Sequence, residues 1–361
     1  MEKPSKPYKD YPLFAHSSGK WCKKIEGKSH YFGRWEDPDS ALSDYRKFLS
    51  ENEVVGELSL SDAANLFLTT KSQAVENGLL ANRSFSEYKS TLKAMLEFWS
   101  REFPVESIDQ NELLSYYEER SKKRNIVSMG NDCVRVKTFL THLAKRGLIP
   151  EAPEFPECFK KPSKKQVRRH KREVGSKVLS QKDAMKLVFE AGGKLKPMIL
   201  LALQGGFSPA DLANLKISHW KSGEHLIDMP RIKTEVERVV PLWPETEAAL
   251  ESYLLFTSRR RHDDGYMFLA DDGGRMDPDH SQFTPWFSSL ARRCGVDKAT
   301  AYWLRHTCQN IGEKTGDMTA VKMIMGHADQ SISDTYRHEI GIDRLTAVTD
   351  TIREWLFCYS S

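Results

Sequence analysis

The sequence has little of what would place it in a membrane or an export pathway. No stretch of its 361 residues approaches a bilayer-spanning apolar run, which needs roughly 20 residues. The N-terminus, MEKPSKPYKDYPLF, is polar and proline-bearing, not a charged start followed by an apolar core, so neither export nor membrane insertion is expected. The six cysteines (Cys22, Cys133, Cys158, Cys294, Cys308, Cys358) are scattered, with no C-x-x-C pair and no Cys/His grouping at zinc spacing. A reduced, cytoplasmic protein is the expectation. There is no internal repeat of solenoid period. Charge of one sign is also scarce: 54 Lys and Arg against 50 Asp and Glu leave a net charge of +4. That total does not separate a nucleic-acid binder from an ordinary enzyme. Hydrophobic residues at 39% with 10% aromatics are enough for folded cores, and the length has room for two domains and a small third.

What is present is organised in blocks. From Pro12 to Trp35 the runs WCKKI and SHYFGRW, separated by Glu26-Gly27-Lys28, predict a hairpin or three-stranded sheet. Asp37-Pro38-Asp39-Ser40 then opens a helix carrying Leu42, Tyr45, Phe48 and Leu49 at helical spacing. Residues 59–147 hold four amphipathic stretches with capping or turn residues between them, the pattern of a helical bundle. Gly147 and the proline-rich text after it mark a boundary. Between Lys160 and Arg172 lie Lys160, Lys161, Lys164, Lys165, Arg168, Arg169, Lys171 and Arg172, eight positive charges in thirteen residues with no acid among them. Mutual repulsion predicts a segment that is extended or ordered by a polyanion, either a solvated linker or a strap across phosphates. From Val178 onward helices enclose one β-rich passage, HLIDMPRIKTEVERVVPLW, in which Pro230 and Pro241 bracket two alternating runs. The expected divisions are 1–56, 57–150, a basic linker 151–176, and 177–361.

Four passages of the last region carry the chemistry: GGFSPADLANL, RIKTEVERVVPL, YWLRHTCQNIG and MGHADQSISDTYRHEI. Arg305 opens an Arg-His-Thr motif, His327 follows 22 residues later, and Tyr336 nine after that. Together, in this order, they resemble the catalytic domain of tyrosine recombinases, the integrase family. The resemblance spans roughly residues 60–361 and is strongest after Val178. It implies a mainly α fold with small β-sheets: a β-rich N-terminal arm module, a helical, SAM-like core-binding domain, and a mixed α/β catalytic domain. The implied activity is site-specific DNA strand exchange.

Transesterification of a phosphodiester needs a nucleophile, donors for the charge growing on the phosphoryl oxygens, and an acid for the departing 5′ oxygen. The resemblance makes Tyr336 the nucleophile, storing the bond as a 3′-phosphotyrosine so that neither a metal nor another cofactor is required. Arg305 offers a planar fork of donors to two phosphate oxygens. His327 either donates to the phosphate or manages the tyrosine proton; its other reading is a cap after the helix terminator Gly326. The family's general-acid lysine falls on Lys233, although Arg231 and Arg238 flank the same hairpin and either could point inward.

Two expected phosphate ligands are altered. The family's first arginine falls on Ser208, and the histidine three residues before the Arg-His-Thr motif is Tyr302, which donates one hydrogen bond but carries no positive charge at neutral pH. LRHTCQNIG and RLTAVTDTIREWLF resemble a divergent integrase-like subgroup in which these two positions are commonly altered. A nearby cation, Arg231 or Lys233, is the expected substitute. The partner implied is double-stranded DNA, gripped as by a clamp, with the basic linker on phosphates and Lys20, Lys23, Lys24, Lys28 and Arg34 of the N-terminal sheet as further contacts. The apolar face Leu345, Val348, Ile352, Trp355 and Leu356 would pack on its own domain or on a neighbouring protomer, and synapsis implies a tetramer on DNA. Two rival readings stay open: a recombinase-fold protein that binds DNA without cutting, and a type IB topoisomerase, which the arm-like N-terminus disfavours.

Overall fold

In the computed structural model, residues 3–8, 11–25, 28–51, 58–257, 265–278, 281–327 and 340–358 are described. The chain divides into two compact units, Met1–Val174 and Gly175–Ser361.

The first unit opens with three antiparallel strands in sequence order, β1 (Phe14–Ala15), β2 (Lys20–Ile25) and β3 (Lys28–Arg34). The expected three-stranded sheet is therefore present; Glu26 and Gly27 of its turn lie outside the described residues. Helix α1 (Pro38–Glu51) begins where Asp37 accepts the Ser40 amide at 2.9 Å, and Leu42, Tyr45 and Phe48 close over Tyr11, Leu13, Trp21 and Phe32.

Helices α2 (Leu60–Glu76), α3 (Asn82–Trp99), α4 (Gln110–Ser121) and α5 (Ile126–Lys145) form the predicted bundle around a core that includes Phe67, Met95, Tyr116, Val136, Phe139 and Leu140. Ser59, Asp109 and Asn125 cap α2, α4 and α5 with their side chains, which satisfies amides the helices cannot bond internally. The chain beyond Gly147 remains attached to this core, since Ile149, Phe155, Cys158 and Phe159 pack against it.

The basic segment departs from expectation. Instead of an extended strap, Lys164–Val174 is a helix, α6, with no buried residue. Lysine, arginine and glutamine are good helix formers whatever their charge, and in solvent their repulsion is screened. The Ser163 hydroxyl accepts the Gln166 amide at 3.3 Å while the Gln166 side chain accepts the Ser163 amide at 2.8 Å. Arg169 also faces Glu173 one turn on, at 3.7 Å.

The second unit is built around α8 (Leu195–Gly205), whose residues from Pro197 to Gly205 are all buried. Helices α7 (Gln181–Glu190), α10 (Pro244–Thr257), α11 (Phe283–Arg293), α12 (Ala301–Gly312) and α14 (Ile342–Phe357) pack on it. Helix α9 (Pro209–Asn214) follows α8 directly, and α13 (Met318–Met325) follows α12 through a 3-10 turn. A small antiparallel sheet joins β4 (Trp220–Lys221), β5 (Leu226–Asp228) and β6 (Val239–Pro241), with Ile227 opposite Val240. Of the two alternatives for α14, the structure has the one in which its apolar face lies on its own unit. Leu345, Val348, Ile352 and Leu356 are buried there, the Trp243 indole donates to the Thr349 carbonyl at 2.9 Å, and Arg353 grips Glu245. The mainly helical fold with small antiparallel sheets is thus as expected, and no helix among the described residues is long and apolar enough to cross a membrane.

Candidate active site

Helix α8 ends at Gly206 (φ +61°) and α13 ends at Gly326 (φ +59°), both left-handed. Only glycine takes this conformation without penalty, and each ending leaves backbone carbonyls aimed at one point. Arg305, on the first turns of α12, fills that point. It is 2% exposed, and its guanidinium donates to the Gly206 carbonyl and, at 2.6 Å, to the Met325 carbonyl. A cation bridging two helix C-termini is favoured by both dipoles. Burial, and then the charge of Arg231, nevertheless pull the Arg305 pKa down to about 10. The side chain stays charged at neutral pH, but among the described residues it has no salt-bridge partner.

His327 follows Gly326 directly and is half-buried, and its amide closes the end of α13 onto the Lys322 carbonyl at 3.0 Å. The capping alternative is therefore realised by the backbone amide. Tyr336 falls within 328–339, outside the described residues.

The hairpin of β5 and β6 delivers the remaining cations. Backbone bonds continue past the strands, with the Met229 amide on the Arg238 carbonyl at 3.0 Å and the Arg231 amide on the Val236 carbonyl at 2.9 Å. The Thr234 and Glu235 amides then fold back on the Arg231 carbonyl. This turn sends Lys233 outward, where it is exposed, while Arg231 and Arg238 are buried at 7% and 0% exposure. Both arginines point inward, so the choice between them has a double answer. Arg238 lies over the Phe207 ring, 4.0 Å from its centroid, and reaches Asp211 at 3.3 Å.

Ser208 caps α9, its hydroxyl accepting the Asp211 amide at 3.2 Å while its own amide donates to the Asp211 carboxylate at 2.8 Å. Burial works to raise the Asp211 carboxyl, but Arg238 and the Ser208 donors outweigh it and hold the group below its ordinary value. The pair of Asp211 and Arg238 was missed in the sequence. Its signal was the acidic residue three places after Ser208, which stands in the first motif even where the arginine does not. Tyr302 is 44% exposed and stands edge-on to His306, with ring centroids 4.9 Å apart. The structure thus brings together Arg305, Arg231, Arg238, Asp211 and the end of α13 that carries His327, and keeps Lys233 at the rim. Among the described residues, Arg231, Arg238 and Arg305 are buried with one buried carboxylate, Asp211, beside them.

Residues 177–340 match the model of the phage integrase family. The domain belongs to that family. Tyrosine recombinase XerD of Halalkalibacterium halodurans is 24% identical over 287 residues, covering 74% of this chain and 90% of its own length. Tyrosine recombinase XerC of Pseudomonas aeruginosa is 26% identical over 158 residues, or 42% of this chain and half of its own length. Among solved structures, a lambda integrase dimer bound to a COC′ core site superposes with TM-score 0.56 at 13% identity, covering 93% of this chain and 96% of that one. The Tn1549 transposon integrase in complex with a circular intermediate DNA gives TM-score 0.56 at 16% identity over 80% and 98%. At these identities the structural likeness is one of fold. Ser208, on which the sequence resemblance places the family's first arginine, is a helix cap here, and the hairpin carries a second inward-facing cation beside Arg238.

The charged residues outside this domain are dispersed. Lys20, Lys24, Lys28 and Arg34 are exposed on the N-terminal sheet, but Lys23 is paired with Asp62 at 2.8 Å. Lys160 is exposed and paired with Glu157 at 2.8 Å, whereas Lys161, Lys164, Lys165, Arg168, Lys171 and Arg172 stand exposed on or beside α6.

Proposed function

We propose that this chain cleaves and rejoins DNA strands site-specifically, with Tyr336 as the nucleophile and a 3′-phosphotyrosyl link as the intermediate. The observation that carries this reading is Arg305, a buried guanidinium at the meeting of two helix ends with no salt-bridge partner among the described residues, and with His327 one residue beyond one of those ends. A phosphodiester supplies such a partner. In the reaction the Tyr336 oxygen bonds to phosphorus as the bond to the 5′ oxygen breaks. The phenol gives up its proton, which the His327 imidazole can take, and the 5′ oxygen receives one from the Lys233 ammonium. Arg305 stabilises the charge on the non-bridging oxygens throughout. Rejoining is the reverse attack by a 5′ hydroxyl, so no external energy source enters.

The exposure of Lys233 supports this part. The lysine stands on a turn whose base is fixed by Arg231 and whose Thr234 hydroxyl donates to the Gly326 carbonyl at 2.9 Å. A flexible ammonium anchored beside the site can reach a leaving group that arrives with the duplex. The exposed cations of α6 and of the N-terminal sheet would run along the DNA backbone, and strand exchange between two sites would assemble several protomers on DNA. In support, related folds are known as a lambda integrase dimer on a core site and a lambda integrase tetramer on a Holliday junction.

The deciding experiment incubates the protein with nicked suicide duplexes drawn from the DNA flanking its own gene. A covalent protein–DNA adduct with the wild type and none with Tyr336→Phe is the expected result. Absence of adduct from the wild type on every flank would defeat the proposal.

A further inference from the structure

The altered first motif leaves the family domain one positive charge short, and the structure holds an unassigned charge close by. Arg231 is 7% exposed and forms no salt bridge among the described residues. Among the described residues its Nε has no hydrogen-bond partner, and its Nη1 has only a long 3.4 Å contact to the Gly326 carbonyl. A buried guanidinium normally has its donors satisfied or its charge paired. The nearby carboxylate, Asp211, is held by Arg238 and by the Ser208 cap. Arg231 instead faces a like charge, since it is the main group, after burial, that depresses Arg305. The stem of Arg231 lies on Gly326, where a side chain would collide: a Cβ there would sit 2.7 Å from the Arg231 Cβ. Two guanidiniums are therefore held side by side at solvent-poor positions against their mutual repulsion, next to His327.

We infer that Arg231 is the second cationic ligand of the scissile phosphate, supplied from the β5–β6 hairpin in place of the arginine that Ser208 lacks. The inference rests on the phosphoryl-transfer reading of this site. A bound phosphodiester gives both guanidiniums the negative charge that neither has from a salt bridge among the described residues, and its two non-bridging oxygens allow one arginine each. Arg238 also has a buried Nη2 with no partner among the described residues, but its charge is already paired with Asp211 and lies over the Phe207 ring, which leaves Arg231 as the unpaired cation. Ser208 is free to cap α9 because the charge arrives from another element.

The test uses Arg231→Met, which keeps an apolar stem to pack on Gly326 and removes the guanidinium with its charge and its donors. Single-turnover adduct formation is measured on two suicide duplexes, one with an ordinary scissile phosphate and one with a methylphosphonate, whose missing negative charge makes a neutralising ligand dispensable. On the ordinary duplex the variant is expected to be slower by about 100- to 1000-fold; on the methylphosphonate the gap to wild type should shrink below tenfold. Equal rates on the ordinary duplex, or a defect of the same size on both, overturn the inference, because a packing defect does not depend on the charge of the substrate. Stabilisation by inorganic phosphate is measured in parallel and requires no cleavage. A saturable rise in the wild-type unfolding midpoint that Arg231→Met loses supports the inference, and equal rises in both proteins overturn it. Absence of adduct from wild type would defeat the cleavage reading and leave this second measurement to decide on Arg231.

Discussion

The side chain of Arg231 lies across the α-carbon of Gly326, so that the residue before His327 cannot carry a side chain without displacing an arginine of the site. A Cβ at Gly326 would meet the Arg231 Cβ at 2.7 Å and its Cδ at 3.0 Å, in a backbone already at φ +59°. Gly326→Ala should therefore act twice. The left-handed conformation costs about 1 kcal/mol or more, and relief of the clash moves Arg231. The expected outcome is a lower unfolding midpoint together with a loss of suicide-substrate cleavage larger than the loss of duplex affinity. A variant that is destabilised but cleaves at the wild-type rate would show that Arg231 can move without consequence.

Ser208 gives a contrasting case at the position where the sequence resemblance places the family's first arginine. Its side chain closes a reciprocal cap with Asp211 at the start of α9. Ser208→Ala should cost about 0.5–2 kcal/mol of stability, the usual effect of removing such a cap, as read from chemical denaturation. If the hydroxyl only caps, the cleavage rate of the folded variant should remain within a few-fold of wild type. A hundredfold loss in a folded Ser208→Ala protein would instead make the hydroxyl a phosphate donor.

Much of this site was legible in the sequence because its signals are local. The Arg-His-Thr helix and the glycine before His327 are read from contiguous residues, and the structure gives the helix and the left-handed end they imply. The hairpin was not legible in the same way. Arg231 and Lys233 would share a face in a straight strand, and only the amides of Thr234 and Glu235 folding back on Arg231 separate them. No spacing rule distinguishes that turn from two more strand residues. The basic helix α6 is hidden for another reason: its charge run argues loudly for repulsion, while the capping Ser163 and the helix-forming residues inside it argue more quietly for a helix. Tyr336 is carried by the nine-residue spacing alone, as it falls outside the described residues.

The buried pair of Asp211 and Arg238, with side chains 1% and 0% exposed, makes a prediction about pH. Burial raises the Asp211 carboxyl, but Arg238 and Ser208 bring it below its ordinary 3.8. A carboxyl whose folded value is depressed contributes stability that is fully present above the unfolded value and lost as pH falls through the folded one. Asp211→Asn removes this contribution and leaves Arg238 buried without its partner, at a cost of roughly 3–5 kcal/mol near neutral pH. The gap to wild type should narrow as pH drops below about 4, where the unfolded chain's carboxyl takes up a proton before the folded one does. Denaturation midpoints of both proteins from pH 7 to pH 3 check this, and a constant gap across the range would mean that the carboxylate charge is not what holds Arg238.

The exposed helix α6 carries Lys164, Lys165, Arg168, Arg169, Lys171 and Arg172 with a single acid, Glu173. Exposed cations on a regular helix are held at fixed intervals, so they can follow a phosphate backbone without first being ordered by it. Each phosphate neutralised releases a condensed counterion, and log K should fall by about 0.9 per neutralised phosphate for each log unit of salt. Replacing Lys164, Lys165, Arg168 and Lys171 by Gln keeps good helix formers in place, so the helical signal in circular dichroism should not change. The slope of log K against log salt should become shallower by about 0.9 for every phosphate that the variant no longer neutralises, with affinity falling alike on specific and random duplexes, because phosphates carry no sequence information. An unchanged slope with an intact helix would remove α6 from the DNA interface and return its charge run to the role of a solvated connector.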